Sequence, residues 1–415
     1  MDYLNPEDFK PTIFPNRVLV NGGLLFFICL LHFAGMAQSD TRPELSAGVL
    51  NTPIKLDGLL DETDWESAPV ADAFLTRVPV EKGTPSAETR VRVLASPRTV
   101  VIGIECRGQA PEDLVRFSKL RDADISEEDH IKVVLDPFMD GQSGFIFAVN
   151  AYGARYDALV SNRGESENED WDAVWDARIA LIDDGWSVEI ILPIQSISYK
   201  KGSDTWGFNV ERRIQRNLET IRWANVQRDQ FFGQTSRAGL LTALPEFNFG
   251  LGLNVRPSLV GDLHKVGPDD SAEFDFEASL DASQRISPNV LATLTVNTDF
   301  AETEVDTRQT NLTRFPLFFP EKRTFFLEGA DIFEFGFGTG SNTVLPFFSR
   351  RIGLVDNTEV PILAGVKLNG RIGKTAFGGL GMRTREVVTQ DNTIEATQMG
   401  VMRVRHNVSG RAPLG

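Results

Sequence analysis

Residues 183–193 read DDGWSVEIILP, which is a complete signal for one β-strand. Asp-Asp-Gly is a turn sequence, and proline ends a strand because it has no amide hydrogen to donate. Between the turn and Pro193 the apolar side chains recur at every second position: Trp186, Val188, Ile190 and Leu192. The stretch therefore predicts a strand of an antiparallel sheet that turns one face toward a core.

Strands of the same kind are predicted on both sides of this stretch. Phe145, Phe147 and Val149 share one face of an earlier strand. A later strand alternates between two sets of residues, Val210, Arg212, Ile214 and Arg216 against Glu211, Arg213, Gln215 and Asn217. Many short strands with few helical patterns indicate an antiparallel β-sandwich, which we expect to be jelly-roll-like and to span residues 38–245.

Residues 246–415 are also predicted to be β, with longer strands. One of them alternates over about ten residues, with its apolar face formed by Phe274, Phe276, Ala278, Leu280 and Ala282. Strands of ~9–11 residues with one apolar and one polar face are typical of an outer-membrane β-barrel, although a soluble sheet packed on one side gives the same pattern. No Trp or Tyr, the usual girdle residues of such barrels, follows residue 245. The remaining length suits roughly eight to ten such strands, which is the smallest closed barrel at best. We therefore expect a partial barrel.

The N-terminus resembles an export signal. Lys10 and Arg17 precede an apolar run from Leu24 to Leu31, and Gly35 and Ala37 follow at a spacing that a signal peptidase accepts. The run is shorter than the ~20 residues that cross a bilayer. This favours the interpretation of residues 1–37 as a cleaved signal peptide and not as a signal anchor. We therefore expect an exported protein of the bacterial outer membrane, with the sandwich in the periplasm or at the cell surface.

Composition excludes several classes of function. A net charge of −16 argues against a nucleic-acid partner, because nothing in bulk neutralises phosphates. The 2 Cys and 4 His residues provide neither a disulfide framework nor a zinc-ligand spacing. A protein that depends on a transition metal or on disulfides is therefore not expected.

An acidic segment over residues 122–140 is the candidate metal site. Carboxylates clustered on loops are the ligands that Ca²⁺ prefers, and we assign Asp122, Asp124 and Asp136 to a possible structural calcium ion. No EF-hand spacing is present, so a merely solvated acidic surface is the alternative. Two carboxyl groups of this segment could also serve a glycoside hydrolase as its acid and base.

Tryptophans beside polar residues are the candidate carbohydrate site. Trp171 and Trp175 are flanked by carboxylates. Trp223 directly follows an arginine and stands two residues before an asparagine. Indole rings stack on sugar rings while carboxylates and guanidinium groups bond the hydroxyls, so we add Arg121 and Asp129 to the predicted site. The alternative is that these tryptophans belong to the core.

Residues 50–245 resemble carbohydrate-binding module family 9. The resemblance is carried by Leu56-Asp57-Gly58 with Asp61, Glu62 and Trp65, by Asp129 to Asp136, by Phe147 to Gly153, and by Gly185 to Pro193. It implies binding of xylan- or cellulose-like chain ends between two tryptophans, and in several members a structural Ca²⁺. From its own spacing, the segment around Trp65 is expected to form a turn and a short helix that close one end of the sandwich, with Trp65 in the core.

Residues from about 255 onward resemble a bacterial family of unknown function that follows such modules. The matching motifs are Val296-Asn297-Thr298-Asp299-Phe300 and Phe318-Phe319-Pro320-Glu321-Lys322-Arg323 with Phe326-Leu327-Glu328-Gly329. Members of that family are expected to be outer-membrane barrels. The resemblance therefore implies a sandwich tethered to the outer membrane by a barrel.

Together these features predict a cell-envelope protein that binds polysaccharide or oligosaccharide and serves polysaccharide catabolism. An enzyme that hydrolyses O-glycosyl bonds is one alternative, although no catalytic residue is assigned. A transport or assembly barrel that the sandwich only plugs, without a sugar ligand, is another. Apart from the calcium ion, no cofactor is expected.

Overall fold

The computed structural model describes residues 42–264, 273–298, 321–333, 346–355, 358–388 and 393–406. These residues belong to one structural unit, which runs from Arg42 to Gly415. The predicted signal peptide lies outside the described residues. No helix in the described ranges is both long and apolar enough to span a bilayer.

The described chain is all-β, as the alternating patterns predict. In chain order its first strands are β1 (Glu44–Ser46), β2 (Gly48–Val49), β3 (Leu75–Val78), β4 (Thr89–Ser96), β5 (Thr99–Arg107), β6 (His130–Asp136), β7 (Gly144–Asn150), β8 (Arg155–Ser161), β9 (Ser166–Asn168), β10 (Asp176–Ile182), β11 (Gly185–Pro193), β12 (Trp206–Ile214), β13 (Glu219–Arg222) and β14 (Gly239–Thr242). A short helix, α1 (Thr63–Ser67), precedes β3.

These strands form two sheets. Sheet A has the order β1-β14-β12-β6-β7-β8-β9, with β13 pairing both β12 and β3, and sheet B has the order β10-β11-β5-β4-β2. All pairs are antiparallel except β1 with β14 and β2 with β4. The inner faces of the two sheets enclose one hydrophobic core, which gives the predicted sandwich.

The stretch 183–193 forms β11, next to β5 and β10 in sheet B. Its predicted apolar face is wholly buried in the core: Trp186, Val188, Ile190 and Leu192. Gly185 begins the strand with φ of +146°, and a Cβ there would lie 1.9 Å from the carbonyl oxygen of Cys106. The turn before β11 therefore requires glycine.

The segment around Trp65 covers the outer face of sheet B. Trp65 packs with Leu94 and Val101 and is 1% exposed. Glu189 on β11 accepts hydrogen bonds from the backbone amides of Asp57 (3.1 Å) and Gly58 (3.0 Å) and from the Trp65 indole (3.3 Å). Burial of Trp65 is thus confirmed, but the segment lies on a sheet face and does not close an end of the sandwich.

The chain then forms a second, meandering sheet. Its elements are β15 (Leu253–His264), β16 (Glu273–Ser287), β17 (Val290–Thr298), α2 (Thr324–Leu327), α3 (Ala330–Phe333), β18 (Leu354–Val355), β19 (Thr358–Glu359), β20 (Ile362–Ile372), β21 (Thr375–Thr384), β22 (Val387–Val388), β23 (Thr393–Ile394) and β24 (Gln398–His406). Sheet C has the order β15-β16-β17-β20-β21-β24, with every neighbouring pair antiparallel.

Sheet C carries its apolar side chains outward. On β20 the exposed residues include Val366 and Leu368, whereas Lys367 and Asn369, which alternate with them, are buried. Across the described strands the exposed apolar side chains include Leu253, Val255, Leu259, Phe274, Phe276, Leu280, Leu294, Val296, Met402 and Val404. The register places these residues on one continuous face, which is the reverse of the arrangement expected for a sheet in water.

The opposite face of sheet C is covered by residues 321–333, which contain α2 and α3. Phe325, Phe326 and Phe333 pack there with apolar residues of β20 and β21. Lys367 on β20 donates hydrogen bonds to the carbonyl oxygens of Phe325 and Glu328. The earlier part of the predicted phenylalanine-rich motif, through Pro320, lies outside the described residues.

Candidate functional site

A row of polar side chains crosses the outer face of sheet A. Glu211 pairs in register with Arg222 on one side and with Lys132 on the other, and Lys132 pairs through Ala148 with Tyr156. Residues that pair across neighbouring strands lie side by side on one face. Arg222, Glu211, Lys132, Ala148 and Tyr156 therefore form one line across five strands, which we call the polar row.

Charges alternate along the polar row. The Arg222 Nε donates a hydrogen bond of 2.5 Å to Glu211 Oε2, and both side chains are buried. Burial alone would raise the pKa of the Glu211 carboxyl, but the charges of Arg222 and Lys132 outweigh it and hold the pKa below its ordinary value. Glu211 is therefore an anion between two cations at neutral pH.

The other half of the polar row is partly open to solvent. Lys132 and Tyr156 are each partly exposed, and the Lys132 ammonium lies 5.9 Å from the centre of the Tyr156 ring. Between them Ala148 is fully buried, because Ile125 packs on it. A cation and an aromatic ring are thus presented together on this part of the sheet.

Apolar groups border the row on both sides. Ile125, from the loop before β6, packs on Ala148 and Ala154. Phe232, from the loop after β13, packs on apolar residues of β6, β7 and β8. Tyr156 contacts both clusters. The loops that carry Ile125 and Phe232 therefore pack on the outer face of sheet A at the polar row.

This arrangement suits a ligand with an apolar face and many hydroxyl groups. A hydroxyl both donates and accepts, so it can pair with the Lys132 ammonium and with carboxylates. The tyrosine ring has an apolar face for C–H groups and a polar tip. The Lys132 ammonium, the Glu211 carboxylate and the Tyr156 ring are therefore the groups of the row that can contact such a ligand.

The three predicted tryptophans lie in the core of the sandwich instead. Trp171, Trp175 and Trp223 are 4%, 5% and 6% exposed. Their ring centres lie 5.0 Å from Phe145, 5.2 Å from Phe147 and 5.7 Å from Phe208, respectively. This corrects the prediction that they stack on sugar, because the ring faces are occupied by other side chains.

The space beside Trp171 does not change that conclusion. A cavity of about 50 Å³ lies next to its ring, between the sandwich and residues 321–333. Ligand pockets typically measure roughly 300 Å³ or more. The cavity is therefore too small for a sugar in this conformation.

Arg121 and Asp129 have different surroundings. The Arg121 Nη2 donates 2.7 Å hydrogen bonds to Asp157 and Asp172, so the structure does join Arg121 to the predicted segment around Trp171. Asp129 is fully buried and accepts hydrogen bonds from the backbone amides of Val115 (2.6 Å) and Gln215 (3.2 Å). Asp129 therefore fixes two loops and is not accessible to a ligand, which corrects its predicted role.

The predicted calcium ligands do not converge. Asp122 pairs with Arg121, Asp124 accepts a 3.0 Å hydrogen bond from the Ser126 amide, and Asp136 accepts from the amide of Gly141 at 2.9 Å. In the part of the chain that the structure describes, no group of three or more His, Cys, Asp or Glu residues could hold a metal ion. Each of the three carboxylates therefore makes a local contact of its own.

Sequence reasoning missed Lys132, Tyr156 and Glu211. Glu211 was visible as part of an alternating strand, whose second set of residues faces outward here. Lys132 is the one cation within the strand sequence HIKVVLD. Neither signal indicates that these residues are neighbours, because their proximity arises from the pairing of β6 with β12.

Comparisons with known proteins add the following. Residues 251–369 match a family described as a domain of unknown function, DUF5916. A comparison with curated proteins found no match. Among solved structures, a protein of Bacteroides uniformis named for carbohydrate binding is similar, with a TM-score of 0.41 and 10% identity over 49% of this chain and 99% of that one.

Two further similar structures are of a carbohydrate-binding module of family 9 from Caldicellulosiruptor kristjanssonii. The complex with cellotriose has a TM-score of 0.34 and 13% identity, covering 48% of this chain and 93% of that one. The complex with glucose has a TM-score of 0.34 and 14% identity, covering 50% of this chain and 98% of that one.

Proposed function

We propose that this is an exported cell-envelope protein that binds carbohydrate with its sandwich and is held in the outer membrane by sheet C. The polar row is the observation that carries the binding function. It combines a half-open aromatic ring, a cation and an anion on one rigid sheet, which are the groups that hold a neutral glycan. We propose plant-type polysaccharides or their oligosaccharides as ligands, and a role in their catabolism.

The outward apolar face of sheet C supports the membrane attachment. Exposed apolar side chains on five of the six strands of sheet C form one patch, and large exposed apolar patches mark interaction or membrane surfaces. The strands that contribute to it are mostly 9–15 residues long, which suits a bilayer-spanning barrel. Lipid chains are the partner that such a face fits.

A binding experiment tests the carbohydrate function. The full chain, purified in detergent, is screened on a glycan array, and the best ligand is titrated by calorimetry. Replacing Tyr156 by alanine or Lys132 by methionine is expected to weaken binding about tenfold, or about 1.4 kcal/mol. Tyr152→Ala is the matched control, because Tyr152 is a solvent-accessible tyrosine outside the row. An array without any bound glycan, or an equal loss in Tyr152→Ala, contradicts the proposal.

The geometry does not favour Asp129 and Asp136 of the acidic segment as the acid and base of a glycoside hydrolase. Asp129 directly precedes β6 and Asp136 ends it, so about seven residues of extended strand separate their backbones by roughly 20 Å. The two carboxyl groups of glycoside hydrolases lie roughly 5–10 Å apart. This pair therefore does not span a glycosidic bond.

One observation favours transport as a second function. Residues 321–333 cover the inner face of sheet C, where the lumen of a barrel would lie. A segment in that position resembles the plugs that occupy some outer-membrane barrels. Transport of a glycan that the sandwich binds is compatible with the primary proposal.

A further inference from the structure

Among the described residues, the hydrogen bonds and ion pairs between the sandwich and sheet C lie at one end of the strands of sheet C. The amide of Tyr199 donates a 3.2 Å hydrogen bond to the carbonyl oxygen of Pro288, in the turn between β16 and β17. Arg285 Nη1 donates to Ser198 Oγ at 2.7 Å. Arg371 lies beside the turn between β20 and β21, and its Nη1 is 3.5 Å from Asp140 Oδ2. The sandwich therefore rests on the end of sheet C where these two turns lie.

The segment on the inner face of sheet C joins the same contact. Glu328 accepts hydrogen bonds from Ser198 Oγ at 3.2 Å and from the Trp171 indole at 3.5 Å. Asp331, in α3, pairs with Arg371 at 2.5 Å. The sandwich, residues 321–333 and this end of sheet C thus form one connected interface. Several independent contacts fix the orientation of the sandwich relative to the strands of sheet C.

The two ends of sheet C differ in the length of their connections. At the end that touches the sandwich, only two residues join β16 to β17 and two join β20 to β21. At the other end, 8 residues join β15 to β16, 63 join β17 to β20, and 13 join β21 to β24. The asymmetry holds for every connection between neighbouring strands of this sheet.

This asymmetry has a known direction in outer-membrane barrels, where short turns face the periplasm and long loops face the outside. From it we infer that the sandwich lies in the periplasm, against the inner rim of the membrane sheet, and that its polar row binds glycans on that side. The inference rests on the proposed membrane attachment. The ligand is then a glycan chain within the envelope, either an oligosaccharide that has crossed the outer membrane or the glycan of the cell's own wall.

Cysteine labelling tests the location in intact cells. Asp183→Cys lies at the exposed turn between β10 and β11, and Glu395→Cys lies at the long-loop end of sheet C. Labelling of the parent chain, whose Cys106 is buried, gives the background signal. With a membrane-impermeant maleimide, Glu395→Cys is expected to react in intact cells, whereas Asp183→Cys reacts only after the outer membrane is permeabilised.

Reaction of Asp183→Cys in intact cells, or no reaction of Glu395→Cys there, overturns the inference. Protease added to intact cells provides a second readout, since the sandwich should resist cleavage until permeabilisation. A chain absent from the membrane fraction refutes the proposed attachment itself, which is a distinguishable result. Titration of the detergent-solubilised full chain with cello-oligosaccharides and with soluble wall-glycan fragments then separates the two sources of ligand, and binding of neither refutes the ligand assignment.

Discussion

His130 is a buried imidazole, 4% exposed, on the outer face of sheet A beside the polar row. Burial, with the charge of Lys132 acting in the same direction, lowers the pKa of His130 to about 4 from its ordinary 6.5. A lowered pKa means that the unfolded chain binds the proton more readily than the folded one. We therefore expect His130 to lower the free energy of unfolding as the pH falls from 6.5 to 4, by about 3 kcal/mol in total.

His130→Asn tests this expectation. The asparagine amide can replace the hydrogen bond between His130 Nδ1 and the carbonyl oxygen of Glu128, which is 2.9 Å long, but it does not titrate. Urea unfolding at pH 7 and at pH 4 should show a smaller loss of stability in the variant than in the parent. Equal losses in both proteins contradict the lowered pKa.

At the scale of single residues, the sequence predicted polarity better than accessibility. The carboxylates around Trp171 suggested a solvent-accessible site. In the structure, however, Asp157 and Asp172 bind Arg121, and the Trp171 indole packs on Phe145. Tyr156 carries no comparable local signal. Its position at the end of the polar row results from β8 pairing with β7, a contact that a local pattern does not encode.

Among the elements, the segment around Trp65 depends on a single carboxylate of β11. Glu189→Ala removes the acceptor of two backbone amides and one indole, and leaving buried donors unpaired costs about 1–3 kcal/mol each. We expect a loss of about 3 kcal/mol in the free energy of unfolding, measured by urea titration of the purified chain.

Glu105→Ala is the matched control, because Glu105 also lies on the outer face of sheet B. It pairs with Arg92 and Arg107 near the surface, and such ion pairs contribute about 1 kcal/mol or less. If both variants lose the same free energy of unfolding, the hydrogen bonds of Glu189 do not hold the segment around Trp65 on sheet B.

The strands themselves were predictable where turn chemistry and alternation agree. Residues 183–193 combine a turn that requires glycine, a two-residue period and a terminating proline, and the strand β11 matches them. The order of strands was not predictable in this way. Lys132 and Glu211 are brought together by β6 pairing with β12, which are far apart in the sequence, so the site could not be located from either strand alone.

For the whole molecule, overall composition conceals a difference between its two parts. A hydrophobic fraction of 41% and a net charge of −16 describe an ordinary globular protein. Alternation in residues 246–415 predicted two-faced strands, but the same pattern arises whether the apolar face is inside or outside. The packing of residues 321–333 against the inner face of sheet C decides it, because that contact leaves the other, apolar face exposed.

The exposed face leads to a prediction about membrane insertion. Val366 is 58% exposed on β20, between strands β17 and β21. Arginine on the lipid side of a barrel strand costs about 2–4 kcal/mol near the middle of the bilayer. Val366→Arg is therefore expected to reduce the share of chain in the outer-membrane fraction and to reduce its heat-modifiable band on gels. Val80→Arg, on an equally exposed valine of the sandwich (63%), should change neither. Full insertion of Val366→Arg would show that this face of sheet C meets water or protein rather than lipid.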